Sequence, residues 1–237
     1  MLDANRRPQP IVGALVAHDK FVQKGSAPVV IVIDDDEAVR ISLKLLLKSA
    51  ALPTAVYASA TEFLSHYVPD QPGCLVVDIH MPGMCGLELQ QNLNLLGETI
   101  PVIFISAHGD ICMAVEAMRH GAFDFIPKPF HDHYFLNRVH CALEKDAANR
   151  RSIGQRDHIR ERVRLLTPRE FEVMTLITKG KPNKVIAEDL GVSQRTVEIH
   201  RARVMEKMDA GSLAQLVRMT LEVEQDPKRA FDPAHLN

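Results

Sequence analysis

The sequence predicts an α/β domain built on a parallel sheet, followed by a smaller all-α domain. Between about residues 28 and 148, short runs rich in Val and Ile alternate with stretches whose apolar residues recur at helical spacing. After about residue 166, only helical patterns follow. A chain of 237 residues is long enough for two domains of ordinary size.

The predicted strands and helices of the first part alternate regularly. Strands are expected at 29–33, 54–57, 74–77, 101–105 and 122–126. Helices are expected at 38–50, around Phe63 and Leu64, and at 86–96, 110–118 and 132–143. Ser59 and Asp110 are predicted helix caps, and Gly121 is expected to end a helix. Five such βα units imply a parallel sheet with helices on both faces.

The second part begins after a charged, proline-free stretch, which predicts a linker that is partly helical and extends the previous helix. Thr167-Pro168-Arg169-Glu170 then has the pattern of a capping box with proline at the first helical position. Three or four short helices should follow, to about residue 224. The predicted organisation is an N-terminal extension (1–27), an α/β domain (28–148), a linker (149–166), an all-α domain (167–224) and a C-terminal tail (225–237).

Charge is distributed unevenly along the chain. The formal net charge is −2 overall, −8 over residues 28–148 and +4 over residues 149–224. An acidic half joined to a basic half suggests different partners, with a phosphate polymer suited to the basic half. The same imbalance is also compatible with two solvated surfaces.

The sequence indicates a cytoplasmic protein that does not enter a membrane. No run approaches the roughly 20 consecutive apolar residues that span a bilayer. The apolar patch near the N-terminus is too short and too interrupted for a secretory signal. The four cysteines lack disulfide or metal-site spacing, which favours reduced thiols.

Polar residues gather at the carboxyl ends of the predicted strands. Residues 34–36, all aspartates, follow the first strand, Asp78 ends the third, Ser106 ends the fourth and Lys128 follows the fifth. Each alone has an ordinary explanation as a cap, a turn or a surface residue. Ligands of open α/β sheets bind outside these strand ends, and the combination at four of them predicts a site.

The chemistry of this set suits phosphoryl transfer. Crowded carboxylates favour a hard cation, and Mg²⁺ takes only one or two of them together with water and phosphoryl oxygens. A carboxylate beside the cation can act as the nucleophile toward a phosphoryl donor. The hydroxyl and the ammonium group can then bind the phosphoryl oxygens.

Four motifs resemble the receiver domain of two-component response regulators, a flavodoxin-like (βα)5 fold. They are Val32-Ile33-Asp34-Asp35-Asp36, the segment from Asp78 to Gly86 (DIHMPGMCG), Ser106-Ala107 and Lys128-Pro129-Phe130. The resemblance implies that Asp78 is the phosphoacceptor, acting with Ser106 and Lys128. It also implies a Mg²⁺ site formed by Asp35, Asp78, the backbone carbonyl of His80 and, through water, Asp34.

The same resemblance implies a switch. Ser106 and Phe125 occupy the positions of the switch hydroxyl and the switch aromatic residue, and a cis Lys128-Pro129 bond is expected. Phe125 is equally compatible with an ordinary core position. Phosphorylation should shift the surface formed by 110–120 and 122–126, the expected dimerisation surface.

Residues 181–200 have the pattern of a helix-turn-helix. Gly191 supplies the turn and Ser193 caps the second helix, on which Val197, Val204 and Met208 form an apolar face. The pattern by itself is also that of a small helical interaction module. The segment 166–221 strongly resembles the LuxR-type tetrahelical DNA-binding domain. The residues that this resemblance and the charge pattern suggest for DNA contact are Lys184, Arg195, Thr196, Glu198, Ile199, His200, Ala202, Arg203 and Lys207.

The two resemblances together identify a response regulator of the NarL/FixJ family, similar to regulators of aromatic-hydrocarbon catabolism. They imply a sensor histidine kinase, double-stranded promoter DNA and RNA polymerase as partners, a homodimer on phosphorylation, and transcriptional activation. No enzyme activity is expected beyond phosphorylation and dephosphorylation of its own aspartate.

Two other classes of protein remain open on the residues alone. A Mg²⁺-dependent phosphohydrolase would use Asp78 as its nucleophile, but His80 stands where its second aspartate is expected. A phosphorylation-independent interaction protein would not need Asp78 at all.

Overall fold

Five parallel strands form one sheet in the first part of the computed structural model, which describes residues 27–107 and 111–224. The strands are β1 (Val29–Ile33), β2 (Thr54–Tyr57), β3 (Gly73–Asp78), β4 (Val102–Ser106) and β5 (Asp124–Pro127). Their order across the sheet is β2-β1-β3-β4-β5, with every neighbouring pair parallel. The predicted flavodoxin-like fold is therefore confirmed. The extension before Ala27, the tail 225–237 and the predicted cap at Asp110 lie outside the described residues.

Helices follow each strand, as the alternating pattern predicts. They are α1 (Glu37–Ser49), α2 (Ala60–His66), α3 (Gly86–Leu95), α4 (Ile111–Arg119) and α5 (Asp132–Arg164). Ser59 caps α2 by accepting a hydrogen bond from the amide of Glu62 at 3.1 Å. Gly121 ends α4 at a positive φ of 89°, as its position predicts.

The start of β5 differs from the prediction by two residues. The amide of Ala122 donates to the carbonyl of Ala117 and closes the end of α4. This amide belongs to the end of the helix and does not pair with β4, so β5 begins only at Asp124.

Alternate residues of the strands pack against helices on opposite faces of the sheet. Odd-numbered positions of β1 and β3, such as Ile33 and Val77, pack with Phe63 of α2 and Leu89 of α3. The even-numbered positions face the other layer, whose buried residues include Val32, Val76, Leu43 and Leu47 of α1, and Phe135 and Val139 of α5. Burial of both faces explains why the strands are continuously apolar.

α5 is much longer than the predicted helix at 132–143. It continues through the charged stretch to Arg164, so the expected linker is helical almost throughout rather than in part. The stretch consists largely of residues with high helix propensity. Its one glycine, Gly154, is exposed, and a Cβ added there would meet no described atom within 4 Å. Residue contacts divide the chain into two units between Asn149 and Arg150, within this helix.

The second unit is all-α, as predicted. After the end of α5 it contains α6 (Pro168–Thr178), α7 (Asn183–Leu190), α8 (Gln194–Met208) and α9 (Leu213–Glu224). The capping box is present, since the Thr167 side chain accepts from the amide of Glu170 and the Glu170 side chain accepts from the amide of Thr167. One buried cluster joins α5, α6, α8 and α9 through Val163, Met174, Val204 and Leu216.

Gly86 and Gly154 give opposite expectations for substitution by alanine. A Cβ on Gly86 would lie 2.6 Å from the carbonyl oxygen of Asp78 and 3.0 Å from the ring of Phe104, so Gly86→Ala should lose about 1–3 kcal/mol of stability. Gly154→Ala meets nothing within 4 Å and should gain up to about 1 kcal/mol from helix propensity. Unfolding monitored by circular dichroism should give midpoints that shift in opposite directions from that of the parent protein. Equal midpoints would contradict the packing described around Gly86.

Candidate functional site

Two of the predicted strand-end carboxylates, those of Asp34 and Asp78, meet around the ammonium group of Lys128. Its Nζ lies 2.8 Å from Oδ2 of Asp34 and 2.8 Å from Oδ1 of Asp78. Asp34 follows β1, Asp78 ends β3 and Lys128 follows β5, so the parallel sheet brings three distant parts of the chain to one edge. The Asp34 side chain is 1% exposed and the Lys128 side chain 19%, which strengthens the two ion pairs relative to surface pairs.

Backbone groups hold the two carboxylates from their other sides. The amide of Asp36 donates to Oδ1 of Asp34 at 2.9 Å, and the amide of His80 donates to Oδ2 of Asp78 at 2.7 Å. The Asp36 side chain in turn caps α1 by accepting from the amide of Ala38. Both carboxylates are therefore oriented before any ligand binds.

Burial and pairing shift the pKa values at this site. Burial raises the pKa of Asp34, and the hydrogen bonds from Lys128 and Asp36 offset that rise only in part. Burial would lower the pKa of Lys128, but its hydrogen bonds to Asp34 and Asp78 outweigh burial and raise it. Lys128 is thus a permanent cation at neutral pH.

Ser106 ends β4 and is fully buried. Its Oγ lies 3.4 Å from Nδ1 of His80, and its carbonyl accepts from the amide of Lys128 at 2.8 Å. The sequence pointed only to the backbone carbonyl of His80, so the approach of its imidazole to Ser106 is a feature that sequence reasoning missed. The spacing of these residues along the chain gave no signal for it.

Phe125 is half-buried on β5 and packs against the cluster that contains residues of α2, α3 and α4. The Lys128-Pro129 bond is cis, as expected. Phe125 therefore lies on the face of the sheet covered by α2, α3 and α4, and its role as a switch residue stays a prediction.

The carboxylates at this edge of the sheet are compatible with a hard cation that needs only a few protein ligands. Among the described residues, no three His, Cys, Asp or Glu side chains are grouped as a metal site. Asp35 follows Asp34 in the chain and is exposed, and its carboxylate makes no hydrogen bond or ion pair with other described residues, so it is free to bind a cation. Mg²⁺ needs only one or two carboxylates, so these residues are compatible with it.

The second unit presents the predicted helix-turn-helix in α7 and α8. Gly191 ends α7 in the left-handed region at φ 64°, and Ser193 caps α8 by accepting from the amide of Thr196 at 3.1 Å. Val197, Val204 and Met208 are fully buried, which confirms the predicted apolar face of α8. The turn and the cap fix the direction of α8 relative to α7.

Most of the predicted DNA-contact residues lie in solvent. Those that are exposed and make no hydrogen bond or ion pair with other described residues are Lys184, Arg195, Glu198, Ile199, Ala202 and Arg203. Thr196 shares a 2.8 Å hydrogen bond with Ser193. His200 is half-buried, and its buried Nδ1 has no partner among the described residues.

Lys207 differs from the other predicted DNA contacts. Its Nζ donates to Oε2 of Glu170 at 2.6 Å and to the carbonyl of Leu165 at 3.1 Å. Burial would raise the pKa of Glu170, but the hydrogen bonds from Lys207 and Thr167 lower it overall. Glu170 is 2% exposed, so this geometry favours a structural role for Lys207 over a phosphate contact.

Comparison with known proteins gives two domain matches and full-length relatives. Residues 30–140 match the response regulator receiver domain, and residues 164–220 match the bacterial regulatory proteins of the luxR family. The transcriptional regulatory protein FixJ of Azorhizobium caulinodans is 47% identical over 190 residues, covering 80% of this chain and 90% of that protein. The response regulator protein TodT of Pseudomonas putida is 40% identical over 194 residues, covering 82% and 86%.

A solved structure agrees with both matches. The structure of the response regulator StyR superposes on this chain with a TM-score of 0.74 and 42% sequence identity, and the match covers 83% of this chain and all of the StyR chain. The chain is thus a two-component response regulator that binds DNA and regulates transcription. It belongs to the NarL/FixJ family, in which a receiver domain precedes a LuxR-type DNA-binding domain. The receiver domain implies a histidine kinase as partner.

None of the helices in the described part of the chain is long and apolar enough to cross a membrane.

The Lys207–Glu170 pair predicts a loss of stability on substitution. Lys207→Met keeps the apolar stem but leaves the buried Glu170 carboxylate without its cation, and should lower the free energy of unfolding by roughly 1–3 kcal/mol. The pair stabilises the fold above the pKa of Glu170 in the unfolded chain, so the difference from the parent should shrink as the pH falls below about 4. Urea unfolding at pH 7 and at pH 3 measures both effects. Lys184→Met, on an exposed residue with no hydrogen bond or ion pair to other described residues, is the control and should leave stability unchanged.

Proposed function

We propose that a sensor histidine kinase phosphorylates Asp78, and that this modification controls dimerisation and promoter binding. The single observation that supports it best is the Lys128 ammonium, placed 2.8 Å from both Asp34 and Asp78. A lysine paired with two buried carboxylates at the ligand-binding edge of a parallel sheet is suited to hold a transferred phosphoryl group.

In the proposed reaction, a carboxylate oxygen of Asp78 attacks the phosphorus atom of the kinase phosphohistidine. The O–P bond forms, the P–N bond breaks, and the leaving imidazole takes up a proton. Lys128 and the Ser106 hydroxyl would bind the oxygens of the transferred group. With a small acyl phosphate as donor, the P–O bond would break instead and a carboxylate would leave. Attack of water on the phosphorus atom of the Asp78 acyl phosphate would break its O–P bond, release inorganic phosphate and return the carboxylate, so the protein would take part in its own phosphorylation and dephosphorylation.

The residues proposed to hold Mg²⁺ are Asp35 and Asp78 directly, the backbone carbonyl of His80, and Asp34 through water. When bound, Mg²⁺ would neutralise charge between the carboxylates and the phosphoryl oxygens.

The proposed switch passes from Asp78 to α4 and β5. A phosphoryl group adds about −1.5 to −2 charges and three acceptor oxygens, which would attract Ser106 and Lys128. Movement of Ser106 would then give Phe125 a new position against α4. Ile111, Val115 and Met118 of α4 are 83%, 44% and 48% exposed, and such an apolar surface supports the proposed dimer contact at α4 and β5.

The proposed dimer places two copies of α8 in successive major grooves of promoter DNA. Glu198, Ile199 and Ala202 would face base edges. The sugar-phosphate backbone of the DNA and nearby groups would be contacted by Lys184, Arg195, Thr196, His200 and Arg203. Lys207 is left out because its ammonium is bound to Glu170. We propose further that the bound dimer activates transcription by contact with RNA polymerase, and that the protein acts in the cytoplasm.

Asp78→Asn tests the phosphoacceptor. The amide cannot form the acyl phosphate, so labelling by acetyl phosphate with Mg²⁺ should disappear, together with any phosphorylation-dependent gain in promoter affinity. Gel retardation in the presence of a phosphate-binding ligand measures the label. Asp132→Asn, at the exposed start of α5, is the control and should label like the parent. Label that persists at another residue of the Asp78→Asn variant would contradict the assignment.

Arg203→Ala tests the DNA-contact face. Arg203 is exposed on α8 and makes no hydrogen bond or ion pair within the described part of the chain, so it is free to contact phosphate. Loss of that one contact should weaken binding similarly across sequences and reduce the salt slope by about 1. Fluorescence anisotropy over a range of salt concentrations measures the slope. Arg169→Ala removes the same charge from α6 and should leave the slope unchanged. If both variants change the slope equally, Arg203 acts only through net charge.

A further inference from the structure

Arg40 on the first turn of α1 reaches back to the loop that carries the acidic residues. Its Nη1 donates a 2.6 Å hydrogen bond to the backbone carbonyl of Asp34, and its own amide donates to the carbonyl of Asp36 at 3.1 Å. The side chain is half-buried. Neither the strand-end pattern nor the helical periodicity of the sequence singles out this residue.

The carbonyl that Arg40 holds belongs to the peptide bond between Asp34 and Asp35. A peptide unit is planar, so a fixed carbonyl also fixes the direction in which the chain enters Asp35. Other groups hold Asp34 itself, because its amide donates to the carbonyl of Tyr57 at 3.3 Å and its carboxylate is bound by Lys128 and by the amide of Asp36.

Asp35 lacks any such support of its own. Its exposed side chain makes no hydrogen bond or ion pair with the rest of the described chain. Its carboxylate is therefore directed only by the backbone on either side, and on one side that backbone is held by Arg40.

We propose that Arg40 is a positioning residue for the phosphorylation site, one that orients the Asp35 carboxylate toward a cation shared with Asp78. This inference rests on the proposed function, because Asp35 is a proposed Mg²⁺ ligand there. A guanidinium group remains charged at all physiological pH values, so it also reduces the mutual repulsion of Asp34, Asp35 and Asp36.

The hydrogen bond from Arg40 and its reduction of carboxylate repulsion differ in how strongly they depend on the position of the charge. The hydrogen bond requires a donor at the site of Nη1, whereas a reduction of repulsion requires only a positive charge nearby. Lys44 offers the matched comparison, since it lies one turn further along α1, is exposed, and makes no hydrogen bond or ion pair with described residues.

The experiment compares Arg40→Met, Arg40→Lys and Lys44→Met with the parent in the full-length chain. Mg²⁺ alone is titrated into the unphosphorylated protein, and its Kd is read from backbone amide shifts in ¹⁵N NMR spectra. Labelling by acetyl phosphate is then measured over a range of Mg²⁺ concentrations, and thermal unfolding shows whether each variant is folded.

Arg40→Met should raise the Kd for Mg²⁺ about tenfold, the equivalent of one lost hydrogen bond to a charged donor. The rate of labelling should recover when Mg²⁺ is raised by the same factor, because the nucleophile is unchanged. Arg40→Lys retains a donor of shorter reach and should give an intermediate Kd. Lys44→Met should match the parent.

Equal Mg²⁺ affinity in the parent and Arg40→Met would overturn the proposal, whether or not the variant unfolds at a lower temperature. Equal loss of affinity in Arg40→Met and Lys44→Met would also overturn it, because net charge would then explain the effect. Absence of Mg²⁺ binding by the parent protein would also overturn the proposal. A parent that binds Mg²⁺ with the expected dependence on Arg40 but takes no label would refute only the proposed function.

Discussion

The receiver unit depends on one ammonium group held between two carboxylates. Lys128 bridges Asp34 and Asp78 at the edge of the sheet, and Asp34 is almost completely buried. A buried carboxylate without its cation is strongly destabilising, of the order of 3–5 kcal/mol, so the fold requires Lys128 to stay close to Asp34. The proposed reaction uses the same ammonium, because phosphoryl oxygens on Asp78 would compete with Asp34 for it. In the proposed mechanism, stability in the resting state and the response to phosphorylation would thus both depend on the Lys128 side chain.

The sequence was sufficient for the features that depend on local pattern. Alternation of apolar strands and helices predicted all five strands, and β1 and β2 to the residue. The caps at Ser59, Thr167 and Ser193 followed from residue type and spacing. The approach of Asp34, Asp78 and Lys128 was also predictable, because parallel strands must bring their carboxyl ends together.

Features that depend on side-chain direction or on weak helix signals could not be predicted in the same way. The extent of α5 to Arg164 was underestimated because a charged surface stretch has no apolar periodicity to mark it as helical. Lys207 resembles any other basic residue of α8 until its partner Glu170 is found 37 positions away in sequence. Arg40 and the imidazole of His80 likewise gain their contacts only from the folded loops.

The alternation of side chains along the strands places the phosphoacceptor and the switch residues of the proposed mechanism on opposite faces of the sheet. Asp78 lies on the same face of β3 as Cys74 and Val76, in the layer beneath α1 and α5. Phe125 is paired with Phe104 in the register of β4 and β5, and Ser106 lies two residues along β4 from Phe104, so both lie on the face covered by α2, α3 and α4. In the proposed switch, a modification on one face of the sheet would therefore cause a change on the other face. The coupling would run around the carboxyl edge of the sheet, where the strands end and side chains of both layers meet.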